Sequence, residues 1–141
     1  MRLSTRGRYG TRALLDIALN QEGHPVLLRD IAERQQISLP YLEHLIAPLV
    51  GGGVLRSTRG IGGGVSLAKS PEEIRLSEVL GLLEGSLALV SCVDNPGACR
   101  RSGVCVTRDV WSQLKAAMDR VLESATLQDL VEAQKRKEQP V

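Results

Sequence analysis

Residues 38–67 read SLPYLEHLIAPLVGGGVLRSTRGIGGGVSL. Ser38 is a natural N-cap, and Pro40 falls in the first turn, where its missing N–H costs nothing. Leu39, Leu42, Leu45, Ile46 and Leu49 recur at helical spacing, with Glu43 and His44 on another face. Pro48 removes one helical hydrogen bond and crowds the carbonyl four residues back, so the helix is expected to kink or end near Ala47. Gly51, Gly52 and Gly53 stop it. Val54 and Leu55 then begin a strand, Arg56 to Gly64 turns it, and Val65 to Leu67 returns. The turn joins positive charge to glycines that let a backbone approach a partner closely. It lacks the lysine pattern of a phosphate-cradling loop, and a strand, not a helix, follows it.

Upstream, residues 1–7 read as a short arm and Arg8 to Gln21 as a helix. Ala13, Leu14, Ile17 and Ala18 give that helix an apolar face, widened by Leu15 and Leu19. Glu22 to Pro25 turns the chain, and Val26-Leu27 is a candidate extended piece. Leu28 to Gln35 forms a second helix, and Gln36 to Ser38 is a three-residue turn into the third. Two short helices so joined, followed by a basic hairpin, predict a winged helix-turn-helix, whose second helix enters the major groove of DNA. Arg59 at the hairpin tip suits a narrow minor groove. The alternative for the hairpin is a plain mobile turn.

Downstream, residues 74–76 are expected to be extended, with Ser77 capping a helix to Glu84. Residues 85–103 show no periodicity. From about Val104 to Ser124 runs the longest helix. Its apolar positions, among them Val110, Trp111, Leu114, Ala117, Met118, Val121 and Leu122, are broad enough to pack on their own domain and on a second copy. Thr126 and Asp129 form a capping pair that opens a last helix to about Gln134, followed by a polar tail through Pro140. The expected fold is mainly α with a small β-hairpin wing. Residues 1–84 form the winged helix-turn-helix, 85–104 a loop, and 105–141 a long dimerisation helix and a C-terminal helix.

The net charge is only +2, but residues 1–60 carry eight Arg, no Lys and five acids. All-Arg usage suits bidentate contacts to phosphate or guanine, and a mildly basic surface is the bland alternative. With no Phe, one Trp and two Tyr, the core must be aliphatic. There is no secretory signal and no apolar run of membrane length, so a cytoplasmic protein is expected. No paired acid and base and no nucleophile–His–Asp set is visible, which argues against an enzyme.

Cys92, Cys99 and Cys105 all fall in or beside the aperiodic stretch, spaced C-x6-C and C-x5-C. An odd count in a reducing compartment argues against a disulfide framework. The tight pair usual in zinc sites is missing, and wide spacing suits a larger iron–sulfur cluster. Cys105 opens the long helix, where free N–H groups favour thiolate, and Arg100 and Arg101 add positive potential. Zinc and metal-free thiols remain alternatives. Three thiols leave one position to be filled from elsewhere.

The segments MRLSTRGRYGTRALLDIAL, LLRDIAERQQISLPYLEHLIAPL and VLRSTRGIGGGVSLAKSPEEI, with Cys92…Cys99…Cys105 followed by TRDVW, resemble the IscR-like iron–sulfur regulators, a family that also contains NsrR and CymR. The resemblance spans nearly the whole chain. It implies a homodimeric repressor of promoters with palindromic double-stranded DNA sites. It also implies an iron–sulfur cluster on the three Cys, with 2Fe-2S favoured and 4Fe-4S the alternative. The DNA contacts it suggests are Arg2, Ser38, Tyr41, Glu43, His44, Arg59 and Gly60. Pro40 and His44 depart from the family's usual Ser and Gln. Where IscR-like proteins place a fourth, histidine ligand, this chain has Arg108, which keeps its proton and cannot ligate. The NsrR-like alternative, an Asp of the partner chain, falls where this chain has Arg8. A metal-free thiol switch, a nitric-oxide-sensing repressor and a cluster carrier that does not act on DNA are the competing functions.

Overall fold

In the computed structural model, which describes residues 2–139, Ser4 opens the first helix. Helix α1 spans Thr5–Asn20, and the Ser4 hydroxyl accepts from the Gly7 N–H. The helix therefore starts three residues before the expected Arg8, and only residues up to Ser4 precede it (Met1 lies outside the described residues). Ala13, Leu14 and Ile17 are fully buried on its inner face. A Cβ at Gly10 would sit 2.5 Å from Leu83 Cδ1, so glycine lets a later helix lie close against α1.

Helix α2 spans Leu28–Gln35. Gln36 takes a left-handed φ of 54°. Its N–H donates to Glu33 O, and the Ile37 N–H donates to Ala32 O at 3.0 Å. This pair of bonds is the Schellman ending, and the residue after the left-handed position is apolar and buried, as that motif prefers. Ser38 then caps α3, Leu39–Gly51, accepting from the Tyr41 N–H. Of the two outcomes expected at Pro48, a kink or an end near Ala47, the end does not occur, since α3 continues to Gly51. The carbonyl that Pro48 leaves unpaired belongs to exposed His44, where water can satisfy it, while Leu45, Ile46 and Leu49 stay buried on the opposite side. Burial outweighs one lost hydrogen bond.

Strands β1, Leu55–Thr58, and β2, Gly64–Leu67, pair antiparallel, with Leu55 opposite Leu67 and Thr58 opposite Gly64. Val26, the expected extended piece, bridges to Val65: its N–H donates to Val65 O at 2.7 Å, and the Val65 N–H donates back at 2.8 Å. The wing is thereby tied to the turn between α1 and α2. Gly64 has φ 145°, and a Cβ there would collide with the Val26 carbonyl.

Helix α4 spans Leu76–Glu84, with Arg75 and not Ser77 at its N-cap. The reason lies in the far end of the chain. The Leu76 N–H donates to Ala125 O at 2.9 Å and the Leu127 N–H donates to Ile74 O at 2.8 Å. This bridge supplies an acceptor for the first helical N–H, so the helix starts before Ser77. Residues 85–105 are a chain of short turns: helix α5, Ser91–Asp94, and 3-10 turns at Pro96–Ala98 and Ser102–Val104. Helix α6 runs Val106–Ser124. Helix α7, Leu127–Glu138, begins with the Thr126–Asp129 capping box. It outlasts the expected Gln134 by a turn, because Lys135, Arg136 and Lys137 suit the negative end of the helix dipole. Gln134 also donates to Glu138 Oε1 at 2.9 Å.

One aliphatic core joins α1, α2, α3, the wing, α4 and Leu127 of α7. The architecture is the mainly helical winged helix-turn-helix that the sequence predicts, followed by a long helix that lies largely outside this core.

Candidate nucleic-acid interface and cysteine loop

The N-terminal turns of α3 present Ser38, Pro40, Glu43 and His44 to solvent, since the buried stripe takes Leu42, Leu45, Ile46 and Leu49. Tyr41 is half-buried. Its hydroxyl donates to Thr5 Oγ1 at 3.0 Å, and its ring meets Tyr9 edge to face at 6.3 Å between centroids. Arg8 and Arg12 each lie over the Tyr9 ring, 5.5 and 5.3 Å from its centroid. Arg12 also donates to the Gln35 side chain and carbonyl. The start of α1, the end of α2 and the start of α3 thus form one cationic, partly aromatic corner.

Arg59 and Gly60 are exposed at the wing tip. Gly60 takes φ 90°, a conformation L side chains rarely adopt. Arg2 lies elsewhere. With Leu3, Glu84, Leu89 and Met118 it lines a cavity of about 410 Å³ between the residues that precede α1, the end of α4, residues 86–89 and α6.

The sequence reading passed over Glu84. This last residue of α4 turns its carboxylate onto the start of α1, accepting from the Ser4 N–H at 2.9 Å, the Gly7 N–H at 3.1 Å and the Ser4 hydroxyl. The Ser4 hydroxyl bond, then those backbone donors and the charge of Arg6, hold its pKa below the ordinary value, against the opposing effect of burial. A carboxylate whose pKa is depressed by folding stabilises the fold above its unfolded pKa and loses that contribution as pH falls through the folded value. Denaturation series from neutral to acid pH should therefore show Glu84→Gln with a shallower acid loss of stability than the parent. Parallel curves would mean that the carboxylate contributes nothing.

All three cysteines are free thiols, Cys99 exposed and Cys92 and Cys105 half-buried. Cys105 is the N-cap of α6, as the sequence suggests. Its sulfur lies 3.1 Å from Thr107 Oγ1. That hydrogen bond, the Arg108 N–H and the charge of Arg101 lower the thiol pKa. Cys92 rides on α5. Its carbonyl accepts from Arg108 Nε at 2.9 Å, so the residue at the would-be fourth-ligand position staples the loop to α6. The Ser102 hydroxyl closes the rest of the loop on Pro96 O and Cys99 O. Among the described residues, no three His, Cys, Asp or Glu side chains are gathered closely enough to hold a metal ion. Three thiols are donors of the kind a cluster takes, but the loop as folded does not gather all three at one point.

Helix α6 completes the picture. Val106, Val110, Trp111, Leu114 and Val121 are exposed along it, and among its described residues none is buried. No helix among the described residues is long and apolar enough to cross a membrane.

Comparison with known proteins agrees with this geometry. The profile of the Rrf2 family, described as "Iron-dependent Transcriptional regulator", matches residues 3–133. The chain is 46% identical to protein rrf2 of Nitratidesulfovibrio vulgaris over 131 residues, 93% of this chain and 87% of that one. Its structure is similar to that of T. potens IscR, with a TM-score of 0.82 and 36% identity, covering all of this chain and 93% of that one. It is also similar to CymR, the global cysteine regulator of B. subtilis, with a TM-score of 0.78 and 31% identity over 94% of this chain and 98% of that one.

Proposed function

We propose, from the premise that this chain belongs to the Rrf2 family of DNA-binding transcriptional regulators, that it is a homodimeric repressor of palindromic promoter sites whose DNA affinity is set by an iron–sulfur cluster on Cys92, Cys99 and Cys105. The observation that carries this reading is the placement of three free thiols on one loop whose two ends are anchored differently. One end is Glu84, which caps α1. The other is Cys105, which stands at the N-cap position of α6 with its sulfur against Thr107 Oγ1.

Bound there, a cluster supplies a group that gains or loses electrons and reacts with oxidants. The protein supplies the rest. The lowered pKa of Cys105 favours thiolate, the ligating form, and Arg100 and Arg101 add to the positive potential. Arg108 keeps its proton and holds the Cys92 turn, so it does not complete the ligand set. A fourth ligand from solvent or a partner makes such a cluster exchangeable, which suits a sensor. We favour 2Fe-2S, with 4Fe-4S the alternative.

The output runs through α1. Drawing the three thiols together pulls on residues 85–91, hence on Glu84 and the start of α1, where Thr5 holds the Tyr41 hydroxyl. Ser38, Tyr41, Glu43 and His44 read the major groove, with Arg59 and Gly60 in the minor groove and Arg2 beside α6. Glu43 accepts from cytosine N4 and repels phosphate, which makes it a selector among sites.

Anaerobic purification with absorbance, iron and sulfide assays tests the cluster. Each single Cys→Ala change should abolish the chromophore. A colourless, iron-free protein after reconstitution sinks the reading. In that case the lowered Cys105 pKa favours a metal-free thiol switch, in which an oxidant must draw two thiols together and only the disulfide-forming pair matters.

A further inference from the structure

We infer that Ile61, at the apex of the wing, is an apolar wedge that enters the DNA minor groove beside Arg59 and sets a preference for easily deformed base steps. This rests on the DNA-binding reading above and adds to it a contact of a different chemistry.

The wing tip is a defined turn. The Gly63 N–H donates to Gly60 O at 3.0 Å, which places Ile61 and Gly62 at its two central positions. Gly62 has φ 78°, the value a type II turn requires at its second central residue. Gly63 is closed in from behind, since a Cβ there would press on the carbonyls of Thr58 and Gly60. The turn therefore holds its first central residue outward. That position favours proline and accepts most residues, so the turn itself makes no demand for an aliphatic chain.

The residue standing there is a fully exposed isoleucine. It packs on nothing in the core, and its neighbours are glycines that add no apolar surface. A single exposed apolar residue is ordinary in itself. This one sits on the outermost turn of a hairpin that carries Arg56 and Arg59, both exposed. Positive charge brings the tip to phosphates, and the flanking glycines let the backbone follow it into a groove. Minor-groove proteins use isoleucine among the side chains that pry at a base step. The cost of that deformation is lowest at pyrimidine–purine steps, so a wedge reads flexibility where it makes no hydrogen bond to a base.

The test uses duplexes recovered by wild-type protein from a random-sequence pool, titrated by fluorescence anisotropy at several salt concentrations. Ile61→Ser should weaken binding of the dimer by about a hundredfold or more, the value of burying one large aliphatic side chain on each of two wings, with an unchanged salt slope. It should also reduce the bend read by energy transfer between the duplex ends, and flatten the preference for TA or CA steps under the wing. Ile61→Leu should restore most of the loss. Arg59→Ala should instead weaken binding and reduce the salt slope by about two, because it removes one phosphate-neutralising charge from each wing of the dimer. Ile61→Ser should unfold as the parent does, since its side chain touches nothing. Wild-type binding by Ile61→Ser, a changed salt slope, or no recovery with leucine overturns the wedge and leaves DNA binding standing. A wild-type protein that recovers no duplex sinks the DNA reading and the wedge with it.

Discussion

Replacing Val110 and Leu114 together by Asp should turn the protein into a monomer that no longer holds its DNA. Helix α6 is long, yet among its described residues none is buried, and Val110 and Leu114 are 48% and 38% exposed. Val106, Val110, Leu114 and Val121 fall on one stripe at steps of four and seven. Such a stripe is exposed to water only at a cost, and in the proposed homodimer a second copy of the same helix covers it. In a two-fold interface each substitution appears twice, and each carboxylate meets the apolar seam or its own image. Burying one such side chain is worth about 1.5–3 kcal/mol, so losing two per protomer and adding charge should raise the dimer dissociation constant by roughly a thousandfold or more. DNA affinity then falls, because two linked reading heads gain about 10²–10⁴ over one. Sedimentation gives the mass, and Trp111, the only tryptophan, reports on the seam by fluorescence. A monomeric parent, or a double variant that stays dimeric, removes α6 as the interface.

The parts of this fold legible in the sequence are those decided locally. Ser38, Pro40 and the leucine spacing of α3 specify a helix start, and Gly51 to Gly53 specify its end. The glycine-rich hairpin and the Thr126–Asp129 capping box are likewise written in adjacent residues. What escaped was decided at a distance. Pro48 looked like a stop because its local cost is visible and the burial of Leu49 against the core is not. Ser77 looked like a cap because nothing near it announces that Ala125 supplies the acceptor for Leu76. Glu84 looked like a helix end, and its partners lie 77 and 80 residues away. The cysteine loop was legible as chemistry and not as geometry. Three thiols show in the spacing, but the short turns that carry them depend on Ser102, Asn95 and Arg108 closing on particular carbonyls and amides. Asp16 had a usable signal. It falls on the same face as Ala13 and Ile17, and a carboxylate on a buried stripe needs donors from a neighbouring element.

Asp16→Ala and Arg34→Ala should be the two most destabilising single polar substitutions in the DNA-reading half. Asp16 is 3% exposed and is the one buried charged side chain among the described residues. Its oxygens accept from Arg34 Nη2 at 2.7 Å, Arg34 Nε at 3.0 Å, Gln35 Nε2 at 2.9 Å and Asn20 Nδ2 at 3.4 Å. The pairing with Arg34 is bidentate, and it raises the guanidinium pKa above the ordinary value, chiefly through that hydrogen bond. Gln35 in turn accepts from Arg12, so one carboxylate fastens α1 to the last residue of α2. The next three residues are Gln36, Ile37 and Ser38, the turn that aims α3. Arg34 keeps 39% of its side chain in water, so it resolvates when its partner is removed, and the full cost of stranding a buried charge does not apply. A loss of about 2–3 kcal/mol is expected, below the 3–5 typical of a fully buried broken pair. The converse change is different: Arg34→Ala leaves the carboxylate buried with only Gln35 and Asn20, and should cost at least as much. In the double variant neither charge is stranded. The cycle should then return a coupling of about 1 kcal/mol or more, read from urea denaturation of all four proteins, and strict additivity would show that the pair does not act as a unit. Asp16→Asn sharpens the reading. It keeps the volume but presents an amide N–H to a site whose neighbours are all donors, so it should recover only part of the loss.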